Sequence, residues 1–90
     1  MKSIMQTEKE CYICGRTEPL HKHHIYMGAN RRLSEKYGCW VWLCPEHHTG
    51  NTGVHNNRNL DLMLKKLCQT EFEKEHCRAG FYAVFGKSFL

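Results

Sequence analysis

The sequence lacks the long apolar segments that mark membrane-spanning or exported chains. Its longest uninterrupted apolar run extends only from Cys39 to Cys44, whereas a membrane helix needs about 20 such residues and a signal-peptide core at least about 7. Proline is scarce, and no repeat or low-complexity tract is present. With 41% hydrophobic residues, the composition excludes a disordered or collagen-like chain. We expect a flexible N-terminal arm over residues 1–10 and one folded domain over residues 11–90, without membrane contact.

Cysteine and histidine, by contrast, are frequent. The chain contains 6 cysteines and 7 histidines, side chains that bind soft or borderline metal ions. Six cysteines could form disulfides in an exported protein or bind metal in a reducing compartment. Because a domain of this length buries only a modest fraction of its surface, it often needs such a cross-link. The spacing of the cysteines distinguishes the two possibilities.

Two pairs of potential metal ligands share the same short interval. Cys11 and Cys14 form a C-x-x-C pair with Gly15 directly beyond it, where the backbone has to turn. Cys44 and His47 repeat the interval after a separation of 29 residues. Two such corners supply the four ligands of a tetrahedral zinc ion. We therefore predict a structural Zn²⁺ held by these two pairs.

The other three cysteines form no further corner. Cys39 is an alternative to His47 as the fourth ligand, but its offset of five residues from Cys44 makes a poorer corner. Cys68 and Cys77 lie in a segment predicted to be helical and share no short spacing. We interpret them as free thiols.

The first half of the chain predicts two strands joined by a loop. Residues 21–26 are rich in histidine and β-forming side chains, and residues 39–44 combine aromatic and β-branched ones, as is typical of strands. Residues 27–38 contain two glycines and two arginines and predict a connecting loop, with one helical turn over residues 31–37.

The second half predicts a helix. Leucines and Phe72 repeat at the helical period from about Asn59 onward, and Asn57 or Asn59 can cap the first turn. We expect this helix to end near Gly80 and a further helical turn over residues 81–85. The predicted fold is a small α+β domain, in which a ββα unit with a zinc corner is followed by this C-terminal helix.

Four histidines are expected to converge where the strands and the second ligand pair meet. His23 and His24 are adjacent on a short strand, so their side chains point to opposite faces. One can bind a metal while its neighbour performs another task. His48 directly follows the predicted ligand His47, and His55 comes just after a glycine-rich turn. Three neutral imidazoles with open positions around one cation are typical of a catalytic metal site.

These motifs together resemble a known family. The order C-x-x-C, His-His-Ile, an apolar strand ending in Leu-Cys, and then x-x-His-His resembles the zinc-stabilised HNH (His-Me finger) endonucleases of the ββα-metal fold. The glycine-rich turn before His55 and the leucine-rich helix are similar to small phage or prophage HNH proteins. The resemblance covers residues 11–75 and implies a cytoplasmic enzyme of a bacterial or phage-infected cell.

The resemblance also implies roles for the histidines. His24, followed by Ile25, corresponds to the general base that takes a proton from the attacking water, a task that suits the near-neutral titration of imidazole. His23 corresponds to a ligand of the catalytic cation, which could be Mg²⁺, Mn²⁺, Ni²⁺ or Zn²⁺. His48 and His55 are the expected partners of His23. The implied reaction is hydrolysis of a DNA phosphodiester bond to 5′-phosphate and 3′-hydroxyl ends.

One residue of the family pattern is missing. The central asparagine of the family usually lies about five residues before the cysteine of Leu-Cys, whereas this chain has Gly38-Cys39-Trp40 there. The site could therefore be of an all-histidine kind that uses His48 and His55. The alternative is a zinc-dependent DNA- or RNA-binding protein, without catalysis, on a degenerate HNH fold.

Basic residues flank the predicted histidine site. The net charge is +4 with histidine neutral, and the local pattern adds a phosphate-contacting set of Lys22, Arg31, Arg32 and Lys36. These residues indicate DNA as the partner. A nuclease with one small active site has to act twice or form a homodimer to cut both strands.

Overall fold

Two short antiparallel strands form the sheet, and the computed structural model describes all 90 residues around it. Strand β1 (His21–His24) pairs with β2 (Trp40–Leu43), with His23 opposite Val41 and His24 opposite Trp40. Side chains alternate between the faces of a strand. Val41 and Leu43 are buried in the main core, while Trp40 and Trp42 occupy the other face of β2. The predicted α+β class and the two predicted strands are present.

Between the strands, a turn of 3-10 helix (Gly28–Asn30) leads into helix α1 (Arg31–Tyr37). The helix lies where one helical turn was expected within a loop. Its buried Ser34 donates a hydrogen bond from Oγ to the Tyr26 carbonyl at 2.7 Å and accepts one from the Tyr26 amide at 3.1 Å. The helix ends at Gly38, which has a φ of 73° and where a Cβ atom would lie 2.2 Å from the Lys2 carbonyl oxygen. The two hydrogen bonds of Ser34 hold α1 against Tyr26, just beyond the end of β1.

Two further helices follow β2. The short α2 (Pro45–His48) begins with proline at its first turn, a favourable position. The long α3 (Arg58–Phe85) is capped by the Asn57 side chain, which accepts a hydrogen bond from the Leu60 amide at 3.1 Å. This confirms Asn57 rather than Asn59 as the cap.

Helix α3 is broken once. Cys77 has φ 56° and ψ 170°, which separates two helical stretches, and its Sγ accepts a hydrogen bond from the Gly80 amide at 3.4 Å. The predicted end near Gly80 is therefore wrong, because the break comes earlier and Gly80 lies inside the second stretch. The two stretches fold together so that the Phe72 and Phe81 rings lie 5.4 Å apart.

The core forms between α3 and the inner face of the sheet. Tyr26 contacts Phe81 and Phe85, with ring centroids 5.2 and 4.5 Å apart, and its hydroxyl donates to the Lys65 carbonyl at 2.7 Å. Of the leucines on the helical period, Leu64 is fully buried, whereas the Leu67 side chain stays 41% exposed and Cys68 takes the buried position instead. No helix is long and apolar enough to cross a lipid bilayer.

The first ten residues contain no helix or strand, but they lie along the free edge of β2. The Ile4 amide donates to the Gly38 carbonyl at 2.9 Å, and the Gln6 side-chain oxygen accepts from the Trp42 amide at 2.7 Å. Ser3 Oγ also donates to the Trp40 carbonyl. These contacts cover backbone groups that a two-stranded sheet would otherwise leave unpaired.

Candidate metal sites and the histidine cleft

Four potential ligands, here called the Cys/His cluster, converge at one end of the sheet. Their ligand atoms all lie within 4.8 Å of one another, and the members are the four predicted from the spacing: Cys11, Cys14, Cys44 and His47. This cluster could hold a metal ion.

Local backbone geometry brings the two pairs together. Gly15 has a φ of 80° and donates its amide to the Cys11 carbonyl at 2.9 Å, which closes a tight turn around the first pair. Cys44 is the residue before α2, so His47 comes one helical turn later on the same side. Backbone hydrogen bonds also act on the Cys11 thiol. Burial disfavours its thiolate, but amides of Cys44 and Cys14 among others outweigh burial and lower the pKa of Cys11 to about 6.

The distances in the Cys/His cluster fit four ligands around one tetrahedral ion. With Zn–S near 2.3 Å and Zn–N near 2.0–2.1 Å, two sulfurs should lie about 3.8 Å apart and a sulfur and a nitrogen about 3.6 Å. Cys14 Sγ and Cys44 Sγ are 3.8 Å apart. His47 Nδ1 lies 3.2 Å from Cys44 Sγ and 3.8 Å from Cys11 Sγ. The sulfurs are too far apart for a disulfide.

The remaining cysteines lie outside the Cys/His cluster, and none of the six forms a disulfide. Cys39 is fully buried in the core, so His47 completes the cluster in its place. A hydrogen bond with Cys39, together with burial, raises the pKa of the Cys68 thiol. Cys68 therefore stays protonated and is a poor metal ligand.

A second group, here called the histidine cluster, lies on the other side of α2. It consists of His23, His48 and His55, whose ligand atoms also lie within 4.8 Å of one another. Nε2 of His48 and Nε2 of His55 are 3.1 Å apart. His23 is buried, and its Nε2 has no hydrogen-bond partner. An unpaired buried nitrogen costs about 1–3 kcal/mol, and a ligand in the cluster would remove that cost.

The histidine cluster is assembled from three elements. His23 comes from β1 and His48 from the end of α2, while His55 follows the glycine-rich turn. That turn folds back onto α2, because the His55 amide donates to the His48 carbonyl at 3.1 Å and the Val54 amide to the His47 carbonyl at 2.8 Å. Gly53 permits this approach, since a Cβ atom there would lie 2.8 Å from the His48 carbonyl.

Burial favours the neutral form of His23 and His48, two members of the histidine cluster. It lowers the pKa of His23 to about 3, with a smaller contribution from the neighbouring His48 and His55. Burial also lowers the pKa of His48, with contributions from His55 and His21. Neutral imidazole is the form that binds a metal ion.

His24 faces away from His23 and contacts a carboxylate. Its Nε2 lies 2.9 Å from Oε1 of Glu35 on α1, and Lys22 Nζ lies 3.2 Å from the same oxygen. The hydrogen bond with His24 is the main reason that the pKa of Glu35 lies below its usual value, and Lys22 adds to it. Glu35 is therefore ionised at neutral pH.

The histidine cluster and His24 border the same cleft, which has a volume of about 240 Å³. Its lining residues are Lys22, His23, His24, Met27, Arg31, His48 and His55. Arg32 lines an adjoining cleft that also contains His24, Arg31 and Glu35. Lys36 is exposed and lies over the Tyr37 ring, 5.5 Å from its centroid, outside both clefts. Three of the four predicted phosphate-contacting residues thus border the histidines.

Two residues of this region are absent from the sequence prediction. His21 Nδ1 lies 3.0 Å from His48 Nδ1; strand alternation places residues 21 and 23 on one face, a signal that could have indicated it. Glu35 is the only acidic residue between His21 and Cys44, but its contact with His24 depends on how α1 packs. No short-range pattern could have indicated that contact.

The chain matches no protein-family model, no curated protein and no solved structure. Its fold is a small α+β arrangement of a two-stranded antiparallel sheet and helices. The Cys/His cluster could hold a metal ion, which is compatible with an HNH-type domain.

Proposed function

We propose that this protein is a metal-dependent DNA endonuclease, built on an HNH-type ββα-metal fold, that hydrolyses phosphodiester bonds with a histidine general base. The observation that carries the proposal is the shared cleft. Its lining includes a cluster of three imidazoles and the separately held His24. A module that only binds zinc needs the Cys/His cluster but neither of these features.

In this proposal the Cys/His cluster holds a structural Zn²⁺. Three cysteines and one histidine form a closed tetrahedral set, which leaves no position for substrate. The ion would join the segment around Cys11 to α2, and so anchor the helix that ends in His48. Its binding energy would contribute to folding.

The histidine cluster fits a second divalent cation. Two nitrogens at 2.0–2.1 Å from one ion are expected to lie about 2.9–3.4 Å apart, and His48 Nε2 and His55 Nε2 are 3.1 Å apart. His23 would supply its unpaired Nε2 as the third ligand. When bound, the cation supplies positive charge that stabilises the transition-state phosphorus group and the leaving 3′ oxygen.

His24 acts as the general base. Its imidazole borders the same cleft as the histidine cluster, and it accepts a proton from the water that attacks phosphorus. Arg31 and Arg32 are exposed at the start of α1 and, with Lys22, bind the DNA backbone beside the scissile phosphate.

The second candidate is a non-catalytic, zinc-dependent nucleic-acid-binding protein. The observation that favours it is the stretch before Trp40, where the family pattern has asparagine. This chain has Cys39 there, fully buried in the core and unable to contribute an amide ligand. The enzyme requires His55 to replace that ligand, whereas the binding protein requires no second cation.

Nicking of supercoiled plasmid by zinc-replete protein tests the proposal. Mg²⁺, Mn²⁺, Ni²⁺ and Zn²⁺ are added separately, and His24→Ala is compared with His76→Gln, a change on α3 outside the cleft. We expect nicking by wild type and by His76→Gln, and none by His24→Ala. If the protein binds DNA but does not nick it in the presence of any of these four cations, the enzyme is refuted and the binding protein is supported.

A further inference from the structure

We propose that Glu35 is a positioning residue for His24. Its carboxylate fixes the imidazole in the tautomer with the proton on Nε2 and leaves Nδ1 free to accept the proton of the attacking water. This inference rests on the proposed function, because it names the residue that prepares the general base.

The contact between the two side chains has the geometry of a charge-assisted hydrogen bond. His24 Nε2 and Glu35 Oε1 are 2.9 Å apart, within the usual range for such bonds. An ionised carboxylate can only accept hydrogen bonds, so the imidazole nitrogen must donate. Lys22 Nζ, 3.2 Å from the same oxygen, favours the charged carboxylate.

The donation from Nε2 determines the state of the other ring nitrogen. A neutral imidazole carries one proton, so a proton on Nε2 leaves a lone pair on Nδ1. The His24 side chain is only 10% exposed, and its one side-chain hydrogen bond is the one to Glu35. Nδ1 is therefore the nitrogen available to a water in the cleft.

The carboxylate also contributes after proton transfer. A bond forms between the water oxygen and phosphorus, the bond from phosphorus to the 3′ oxygen breaks, and the water proton moves to Nδ1. The leaving 3′ oxygen takes a proton from solvent. His24 is then an imidazolium ion, and the negative charge of Glu35 stabilises it. Glu35 should thus affect the chemical step more than DNA binding.

Glu71 provides a matched control for Glu35. Each is a helical glutamate paired with a lysine, at 3.0 Å for Glu71 with Lys74 and 3.2 Å for Glu35 with Lys22. Their side chains are similarly exposed, at 39% and 42%. Only Glu35 contacts a histidine of the cleft, so Glu71→Ala reports the effect of losing a surface ion pair.

The first measurement is the tautomer of His24. Long-range ¹H–¹⁵N spectra of zinc-replete protein at about pH 8 distinguish a proton on Nε2 from one on Nδ1, and the signals are assigned by their loss in His24→Ala. We expect the Nε2–H form in wild type and in Glu71→Ala, and a mixture of tautomers in Glu35→Ala. A wild-type His24 with its proton on Nδ1, or an unchanged tautomer in Glu35→Ala, would overturn the inference.

The second measurement is the kinetics of nicking. Partners that orient a metal-bound histidine typically contribute about 10–100-fold, and we expect an effect of the same size at His24, so that Glu35→Ala lowers kcat by that factor with KM for DNA within about twofold. Glu35→Gln keeps the shape of the side chain but cannot stabilise the imidazolium ion, so it should also lower kcat. Equal kcat in both variants and wild type would overturn the inference. If wild type does not nick DNA in the presence of any cation, the proposed function is refuted instead. The tautomer of His24 then decides whether Glu35 orients it.

Discussion

Replacing Cys14 by serine tests the structural zinc with little other disturbance. Cys14 is the exposed member of the Cys/His cluster, and serine differs from cysteine only in the atom that would bind the ion. The substitution therefore removes almost no buried apolar contact. A large loss of stability would have to come from the missing metal ligand.

The expected loss is large compared with the stability of the domain. A domain of 90 residues is typically stable by about 5–14 kcal/mol, whereas structural zinc contributes about 10–16 kcal/mol in small zinc-binding peptides at pH 7. Each kcal/mol lost lowers the Tm of so small a domain by about 4–8 °C. A loss of only about 3 kcal/mol should lower Tm by about 12–24 °C.

Cys77→Ser is the matched control, because Cys77 is also exposed but lies outside the Cys/His cluster. Thermal unfolding is followed by circular dichroism, and the zinc content per chain is measured by elemental analysis. We expect Cys14→Ser to lose zinc and to unfold at a much lower temperature, while Cys77→Ser keeps both properties close to wild type. A Cys14→Ser protein with full zinc content and unchanged Tm would refute the assignment.

Three further predictions concern the cleft. His24→Ala should abolish nicking and leave DNA affinity within about twofold of wild type, since a general base acts in the transition state, whereas His23→Ala should weaken binding of the added cation. Equal nicking by His24→Ala and wild type would contradict the mechanism. Brief treatment with EDTA should stop nicking while the circular dichroism spectrum stays native, because an open all-imidazole site releases its ion more readily than a closed cysteine-rich one. Added Mg²⁺ or Mn²⁺ should restore nicking, and nicking that persists in EDTA would exclude the second cation. Gly53→Ala should move the turn away from His48 and weaken Mn²⁺ binding measured by calorimetry, while Gly80→Ala on α3, where the atom nearest to the added Cβ lies 3.5 Å away, should leave binding unchanged. Equal weakening in both would mean that the close approach at Gly53 is unimportant.

The ligand pairs could be predicted because their geometry is local. Cys11 and Cys14 are brought together by one turn at Gly15, and Cys44 and His47 by one turn of helix. The sequence interval alone therefore predicts that the two members of each pair lie close together. The two strands followed from residue type for the same reason. The sequence leaves Asn57 and Asn59 open as the cap of α3, and only the hydrogen bond between Asn57 and the Leu60 amide decides between them.

Features that depend on packing were not predictable in the same way. The break in α3 falls at Cys77, a residue with no intrinsic preference for a φ of 56°, because the aromatic side chains beyond it have to return to the core. Nothing near Glu35 in the sequence indicates His24 as its partner. That contact depends on the packing of α1, which Ser34 ties to Tyr26 just beyond β1.

Helix α2 carries one member of each cluster on consecutive residues, His47 and His48. Any ion held by His47 therefore restrains the backbone of His48 before a second ion arrives. In the proposed function both clusters bind an ion, and by thermodynamic linkage each ion would then change the affinity for the other by the same factor. Loss of the structural zinc would loosen α2 at His48, so the supply of zinc to the protein would also affect how tightly the proposed second cation binds.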